Sequence, residues 1–336
     1  MPAFNKLFIE KNILKNKNVQ RIAATVPKNR IIQITSYKNL PVQDSIDNEK
    51  KCLVLAQFRG DSVKEFRRLD GLTQRKEYYI VYAQNCFYDC QYCFLQCYSD
   101  NAYPVLFINH NKILRDVETV LKSEKRPFFY TGELADSMAF DPVTDFNQKL
   151  IKLFSRYPNG TLELRTKCTH TALLLKIVPI KNIILSWTFT PQAIIDQYEK
   201  RTASLTSRIS AARECQKKGY QIGLRLDPII AYQNGEEDYA YMIKQLMESL
   251  NHDRIESVVL GIFRFTPALE KIIRKRFPKS DITINECVPC IDGKWRYLKS
   301  MRIAIYKSII ARIRQYAPQV KITLCMETPE VWNEVF

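Results

Sequence analysis

The sequence predicts an α/β protein whose core is a partial (β/α)6 barrel of the TIM type, with basic N- and C-terminal extensions. Strand-like and helical segments alternate about six times over about 200 residues, which is typical of a parallel sheet. Polar or reactive residues directly follow several of the strands, as they do at the carboxyl edge of barrels. No GxGxxG follows the first strand and no Walker loop occurs, which argues against a Rossmann sheet.

Hydrophobic periodicity predicts the individual elements in chain order. The N-terminal part gives a helix over 8–22, a strand over 51–58 and a loop or peripheral helix over 63–76. The core strands are predicted over 78–83, 128–131, 161–166, 182–188, 221–226 and 257–265. The helices between and after them are predicted over 112–122, 145–155, 171–177, 205–218, 238–251 and 268–276. A helix over 302–316 and a strand over 320–325 complete the chain.

The charge is unevenly distributed along the 336 residues. Lys and Arg number 51 against 35 Asp and Glu, a formal charge of +16. Residues 1–77 hold 16 basic against 8 acidic residues, and residues 270–318 hold 12 against 4, so the rest of the chain is balanced. We expect a basic extension over 1–77, a core over 78–285 and a C-terminal extension over 286–336 that packs on the core. Basic flanks indicate an anionic partner such as nucleic acid, the alternative being a generally basic soluble enzyme.

Composition and the start of the chain indicate where the protein resides. A hydrophobic content of 46% with 11% aromatics excludes a wholly disordered chain. The first residues contain no apolar segment of signal-peptide length, and no apolar run is long enough to cross a membrane. Ten cysteines without a secretion signal are expected to be reduced thiols. These features predict a cytoplasmic protein without a membrane partner.

Three cysteines are the most informative feature. Cys86, Cys90 and Cys93 have the spacing C-x3-C-x2-C and follow the first core strand. Three thiolates within eight residues can bind one iron–sulfur cluster and leave a fourth iron without a protein ligand. The alternatives are a structural zinc site, which usually needs four ligands when the nearest histidine is His110, and inert buried cysteines.

With an aromatic residue, Tyr92, before the last cysteine, this motif resembles the radical S-adenosylmethionine (SAM) superfamily. Further stretches, in the same order, resemble the spore photoproduct lyase family and extend the similarity from residue 51 to the C-terminus. They are CQYCFLQCYSDNAYPVLFIN, YTGELADSMAFDPVT, LELRTKC, LSWTF, SRISAARECQKKGYQIGLRLDPII, FRFTPALEKIIRKRFP, DGKWRYLKSMR and LCMETPEVW.

The resemblance implies a radical SAM barrel that holds a [4Fe–4S] cluster on the three cysteines and S-adenosyl-L-methionine on its open iron. One electron then cleaves the sulfonium and yields a 5′-deoxyadenosyl radical. By the same resemblance, Glu133 accepts from the SAM ammonium, Lys167 reaches the SAM carboxylate, and Ser186 lines the SAM site. Phe94, together with Tyr92, would flank the adenine.

The resemblance also implies a carbon–carbon lyase that repairs a thymine dimer lesion in DNA, with a cysteine that returns a hydrogen atom to the product. In this chain Glu133 occupies that position, and Phe94 replaces the second of two tyrosines. We therefore take Tyr92, Cys97 and Cys168 as candidate catalytic residues. The alternatives are a radical SAM enzyme with another nucleic-acid or small-molecule substrate, and a non-catalytic metal-containing nucleic-acid-binding protein.

The expected partners are DNA, damaged or single-stranded, and an electron donor such as a flavodoxin or ferredoxin. Basic residues interleaved with aromatics suit phosphate binding and support of an extruded base. The candidate nucleic-acid contacts are Arg264, Arg274, Lys275, Arg276, Lys294, Arg296 and Tyr297. Cys287 and Cys290 form a separate C-x2-C pair, typical of a redox pair or half a metal site. Asp227 is expected to orient a neighbour such as Arg225 or to close the barrel, rather than to act in catalysis.

Overall fold

The fold is described from a computed structural model that covers residues 4–41, 43–66 and 75–336. Its strands are β1 (Lys6–Glu10), β2 (Ile31–Ile34), β3 (Cys52–Ala56), β4 (Val63–Phe66), β5 (Glu77–Ile80), β6 (Ala83–Gln84), β7 (Asp89–Cys90), β8 (Val105–Phe107), β9 (Phe128–Thr131), β10 (Thr161–Thr166), β11 (Ile183–Thr188), β12 (Glu199–Lys200), β13 (Gln221–Ile229), β14 (Ile255–Ile262), β15 (Arg264–Phe265), β16 (Cys287–Pro289), β17 (Trp295–Tyr297) and β18 (Ile322–Leu324). Its α-helices are α1 (Lys17–Ala23), α2 (Ile46–Glu49), α3 (His110–Ser123), α4 (Phe146–Phe154), α5 (Gln192–Tyr198), α6 (Leu205–Lys218), α7 (Gly235–Ser249), α8 (Pro267–Arg276), α9 (Lys299–Tyr316) and α10 (Pro329–Val335).

The main sheet is a curled half-barrel and confirms the predicted fold class. Its strand order is β18-β14-β13-β11-β10-β9-β5-β4. The six predicted core strands, β5, β9, β10, β11, β13 and β14, are parallel to one another, and β18 adds a seventh parallel strand. Strand β4 closes the other edge in antiparallel pairing with β5. Because all the parallel strands point the same way, their carboxyl ends form one edge, where the loops that follow them meet.

The two faces of this sheet differ in chemistry because successive side chains point to opposite faces. Leu164, Leu185 and Ile222, on neighbouring strands, are fully buried and belong to the main hydrophobic core, on the face against which α4 and α6 pack. Burial of each such side chain contributes about 1.5–3 kcal/mol. The residues that pair at the next register position are Arg165, Ser186 and Gly223. The other face, which we call the lumen, is therefore polar.

The N-terminal part forms a second sheet, with strand order β2-β1-β3-β8-β6. The predicted helix over 8–22 is wrong in its first half, because the apolar run of β1 pairs with both β2 and β3 and only Lys17–Ala23 is helical. The segment 63–76 was expected to be a loop or helix, but its first part is β4; residues 67–74 lie outside the described residues. Long-range strand pairing, which periodicity does not register, explains both differences.

Both sheets take strands from more than one of the predicted segments. Strand β8, from within 78–285, lies in the N-terminal sheet, and β18, from within 286–336, lies in the main sheet. Because strands of different segments pair in one sheet, the pairing does not test the predicted division at 77/78 and 285/286. That division stays a prediction. Among the described helices, none is both long and apolar enough to span a lipid bilayer.

Candidate cluster and cofactor site

The cysteine motif lies in the loop that follows β6, at the carboxyl edge of the barrel. Cys86, Cys90 and Cys93 are free thiols; Cys90 is buried and the other two are half-buried. Burial raises the pKa of Cys86 and that of Cys90, and in both cases the nearby Cys93 sulfur adds to the rise. The three thiols thus lie together, as one polynuclear ligand set would require.

Lys50, directly after α2, fixes the first half of this loop. Its Nζ donates to the carbonyl oxygens of Cys86, at 3.0 Å, and Tyr88, and lies 3.4 Å from an Asp89 carboxylate oxygen. Both charged side chains of this pair are more than nine-tenths buried. Because an unpaired buried charge is costly, the pair holds the loop backbone in one arrangement.

Arg276, at the end of α8, also holds this loop through Asp89. Its guanidinium donates to Asp89, at 3.0 and 3.2 Å, to Asp47 at 2.6 Å, and to Gln96 Oε1. Burial would raise the pKa of Asp89, but the charges of Lys50 and Arg276 hold it below its ordinary value. Asp89 is therefore an ionised carboxylate between two cations and anchors the motif.

A third buried network lies behind Cys90. Strand β7 pairs with β12 so that Cys90 is opposite Glu199. The fully buried Glu199 carboxylate accepts from Tyr92 Oη, from Arg208 and, at 3.1 Å, from Thr190. Burial opposes ionisation of Glu199, but Arg208 lowers its pKa, so the group is a buried carboxylate paired with a buried guanidinium.

The donor set fits an iron–sulfur cluster better than a single ion. Among the residues that the structure describes, no three His, Cys, Asp or Glu side chains converge so as to hold one metal ion. A [4Fe–4S] cluster instead takes each thiolate on a different iron, so its ligands need only surround a common volume. Burial raises the pKa of Cys86 to about 12, and a bound metal would be needed to hold this thiol as a thiolate.

The loop after β9 brings Glu133 to the carboxyl edge. Gly132 has a φ of 99°, and a Cβ there would lie 2.9 Å from Arg165 Cβ, so glycine is required by both conformation and space. Glu133 is half-buried. Burial raises its pKa, and the charges of Arg165, Arg225 and Arg264 oppose that shift. The Glu133 carboxyl thus faces the charged part of the lumen.

Asp136 connects this loop to the loop after β10. Its carboxylate accepts from the backbone N–H of Lys167 at 2.7 Å, from those of Met138 and Ala139 at 3.0 Å, and from Thr166 Oγ1 at 2.8 Å. Lys167 extends toward the cysteine loop, with Nζ 5.6 Å from the centre of the Tyr92 ring. The structure therefore brings Lys167 and Tyr92 together, and Asp136 is a positioning residue that sequence reasoning missed.

Ser186 lies within the lumen face of β11. Its buried hydroxyl donates to Glu163 at 2.7 Å, so one of its hydrogen bonds is already made within the sheet. A Cβ on Gly223 would lie 2.0 Å from Ser186 Oγ, so the glycine leaves the space that this serine fills. Phe94 lies in a short 3-10 turn, is 44% exposed and packs edge-on against Tyr98.

A chain of ion pairs crosses the lumen. Glu163 pairs with Arg165 at 2.7 Å and with Arg225 at 3.9 Å. Asp227 pairs with Arg225 at 3.3 Å, which confirms the expectation that it orients this arginine, and with Arg264 at 3.1 Å. Burial opposes the ionisation of Asp227, but the two arginines hold its pKa far below the ordinary value. This network alternates in sign and is built into the barrel.

The three candidate catalytic residues occupy different surroundings. Tyr92 is held by Glu199. Cys97 is half-buried, and its thiol donates to the Phe94 carbonyl at 3.2 Å. Cys168 is buried beside Thr166 Oγ1 at 3.2 Å, and burial raises the pKa of its thiol. These contacts do not assign a chemical role to Tyr92, Cys97 or Cys168, so their catalytic role stays a prediction.

Four of the seven candidate nucleic-acid contacts need correction, because their side chains are buried or paired within the protein. Arg276 holds the cysteine loop, and Arg264 pairs with Asp227. Arg296 is 3% exposed and donates to both carboxylate oxygens of Asp292 at 2.7 Å. Tyr297 is fully buried.

The other three reach the surface to different degrees. Arg274 and Lys275 are exposed on α8, whereas Lys294 is half-buried beside Asp292 at 3.2 Å. Alternation of charge and aromatic residues in the sequence does not reveal which of them face inward.

Comparison with known proteins gives one consistent result. A family model described as spore photoproduct lyase matches residues 5–325. The chain is 25% identical over 300 residues to spore photoproduct lyase of Bacillus subtilis (strain 168), covering 85% of this chain and 86% of that protein. It is 24% identical over 245 residues to the enzyme of Geobacillus sp. (strain Y412MC61), covering 71% and 70%.

Solved structures share the fold. Spore photoproduct lyase complexed with dinucleoside spore photoproduct superposes with a TM-score of 0.85 at 19% identity, covering 97% of this chain and 100% of that one. A mutant of that enzyme with bound AdoMet and dinucleoside spore photoproduct gives a TM-score of 0.84 at 19% identity, covering 96% and 99%.

Proposed function

The chain belongs to the spore photoproduct lyase family, and on that premise we propose that it is a radical SAM carbon–carbon lyase that repairs the spore photoproduct, a thymine dimer lesion, in DNA. The observation that carries this proposal is the loop with Cys86, Cys90 and Cys93. It holds three free, closely placed thiols at the carboxyl edge of a half-barrel whose fold matches that of the lyase. A matched structure holds dinucleoside spore photoproduct, and the excess of basic residues over 1–77 in this chain suits a nucleic-acid partner.

The three cysteines would hold a [4Fe–4S] cluster, with Glu133 and Lys167 as the groups for the SAM ammonium and carboxylate. Held by these residues, the cluster and SAM would supply the radical chemistry that removes a hydrogen atom from the substrate. Lys167 suits its role because Asp136 fixes its backbone and Tyr92 lies beneath its ammonium group. Phe94, exposed next to the last cysteine, would shield the adenine from water.

The protein itself supplies placement and shielding. Lys50 and Arg276 hold Asp89, and Glu199 holds Tyr92, so three side chains from outside the cysteine loop limit its motion when a substrate enters. The alternating charges of the lumen present both donors and acceptors to a polar substrate. Repair must expose the lesion to this site, so the damaged nucleotides would leave the base stack.

A hydrogen atom must also return to the product, since the lesion and the two thymines have the same atomic composition. The position of the family's donor cysteine is Glu133 here, and a carboxyl group is a poor hydrogen-atom donor. Cys168 and Cys97 are the thiols that we propose for this step. Cys168 adjoins Thr166 and Tyr88 near the cysteine loop, and Cys97 lies four residues beyond Cys93.

The test is repair of dinucleotide spore photoproduct by the anaerobically reconstituted protein with SAM and dithionite. Release of thymine dinucleotide, abolished in Cys90→Ala, is expected. Repair in deuterium oxide should place deuterium in the product if an exchangeable thiol is the donor, and Cys168→Ala or Cys97→Ala should remove it. SAM cleavage without any thymine release would refute the lyase proposal and favour another nucleic-acid or small-molecule substrate, for which the charged lumen and Glu133 also provide contacts.

A further inference from the structure

The basic helix α8 lies against the cysteine loop, although its sequence suggested a contact with DNA. The 3-10 turn Phe94–Cys97 packs along this helix. Arg276, at the helix end, donates to Gln96 and Asp89 within the loop. The helix is therefore the outer wall of the candidate cluster site.

Exposed cations cover this wall. Lys271, Arg274 and Lys275 are exposed and lie three and four positions apart, so they share one face of α8. Lys275 also lines a hollow of about 260 Å³ with Gln96 and Ser99, which places this face at the border of the cysteine loop.

Strand β12 continues the same surface. Lys200 and Arg201 are exposed, and Lys200 is the register partner of Asp89, the residue before Cys90. Lys200 Nζ lies 5.6 Å from the Phe277 ring and Arg276 lies 4.7 Å from it, so Phe277 joins β12 to the end of α8. We call the five exposed cations Lys200, Arg201, Lys271, Arg274 and Lys275 the α8 patch.

The carboxylates beside the α8 patch do not neutralise it. Glu270 is bonded to Arg274 at 2.7 Å, Asp100 and the buried Glu49 line the hollow with Lys275, and Asp281 accepts from Tyr198. Asp47 and Asp89 are already paired with Arg276. Five cations against the other four carboxylates leave the surface positive. The patch also adjoins the cysteine loop, because Lys200 pairs with Asp89, one ladder position from Cys90.

We infer that the α8 patch is the docking surface for an acidic one-electron carrier, a flavodoxin or ferredoxin. The inference rests on the proposed function, because only an enzyme that consumes an electron needs such a carrier. The reduced carrier would give one electron to the cluster that Cys86, Cys90 and Cys93 would hold, and no bond would form or break between the two proteins. Opposite charges speed such encounters and orient them. Placing the carrier here leaves the lumen mouth free for the substrate.

The experiment compares two triple charge reversals. The α8 variant is Lys271→Glu, Arg274→Glu and Lys275→Glu. The control variant is Arg213→Glu, Lys217→Glu and Lys218→Glu, which makes the same charge change at exposed positions near the end of α6. Helix α6 ends just before β13 begins, so these positions lie at the amino edge of the sheet, opposite the cysteine loop. Each protein is assayed for 5′-deoxyadenosine formation with a purified acidic flavodoxin or with dithionite as reductant. Flavodoxin binding and DNA binding are titrated separately.

The α8 variant should lose about tenfold or more of the flavodoxin-driven rate at low salt, with weaker flavodoxin binding and a flatter salt dependence. Its dithionite-driven rate and its DNA affinity should match those of the control variant. Unchanged flavodoxin binding, or loss of DNA affinity with a normal flavodoxin-driven rate, would overturn the inference and assign the patch to nucleic acid. If the unmodified protein forms no 5′-deoxyadenosine with dithionite, the proposed function fails. The flavodoxin titration then still decides the docking surface, supporting it if the α8 variant binds more weakly.

Discussion

Replacing Arg276 by alanine should destabilise the protein far more than replacing its neighbour Arg274. The Arg276 side chain is 5% exposed and bonds Asp89, which is 8% exposed. Removing one partner of a buried ion pair costs about 3–5 kcal/mol, because the other charge stays buried without compensation. Asp89 keeps Lys50 at 3.4 Å, and the half-exposed Asp47 regains water, so we expect a loss of about 3 kcal/mol.

Arg274→Ala is the matched control on the same helix. Its guanidinium is 69% exposed and pairs with Glu270 four residues earlier, an arrangement worth about 0.5 kcal/mol or less. Urea unfolding of the apoprotein under reducing conditions measures both losses, and iron content after reconstitution should fall in Arg276→Ala alone. Equal losses of unfolding free energy in the two variants would refute the argument that Arg276 anchors the cysteine loop.

The same pair predicts an acid-side effect. In the folded protein Lys50 and Arg276 lower the pKa of Asp89 against the effect of burial. The resulting stability is complete above the ordinary pKa of 3.8 and is lost as the pH falls below it through the folded-state value. Arg276→Ala should therefore reduce the dependence of the unfolding free energy on pH below about 4, and a slope identical to that of the unmodified protein would contradict this assignment.

Three further predictions concern buried polar groups. Glu199→Gln leaves Arg208 buried without its counter-charge and should cost about 3–5 kcal/mol in urea unfolding, a loss that a variant unfolding like the parent would rule out. Gly223→Ala places a Cβ 2.0 Å from the hydroxyl of Ser186 and should lower the free energy of unfolding by about 1–3 kcal/mol. Adding Ser186→Ala should recover part of this loss, and strictly additive losses in the double variant would contradict the clash. Burial raises the pKa of Asp141 to about 8, so stability should fall as pH rises from about 4 to 8; Asp141→Asn should flatten this trend, and an unchanged slope would refute it.

The parts of the site that sequence predicts best are local. The spacing of Cys86, Cys90 and Cys93 lies within eight residues, and the loop that carries them directly follows a strand. The six parallel strands lie where the hydrophobic pattern predicted them. Strands that alternate with helices form a buried parallel sheet, so the pattern indicated both the burial and the direction of these strands. The half-barrel and the position of the motif at its carboxyl edge were therefore predictable.

The supporting network was not predictable, because its partners are distant in sequence. Tyr92 bonds Glu199, 107 positions away, and Arg276 bonds Asp89, 187 positions away. Single carboxylates in a sequence give no signal of such pairing. The run that ends in Arg276 was interpreted as a phosphate-binding surface, since charge alone does not reveal which residue of a helix faces inward. The strand nature of β1 was missed for the same reason, as its pairing partners are separate segments.

The central claim is that three cysteines of one loop carry the chemistry. Its most direct test is 5′-deoxyadenosine formation from SAM by anaerobically reconstituted Cys86→Ala, Cys90→Ala and Cys93→Ala variants. Two buried cysteines outside the loop, Cys52 and Cys215, provide alanine controls. We predict that each of the three loop variants forms no 5′-deoxyadenosine while both controls form it at the parent rate. Formation at the parent rate by any one of the three loop variants would contradict the account.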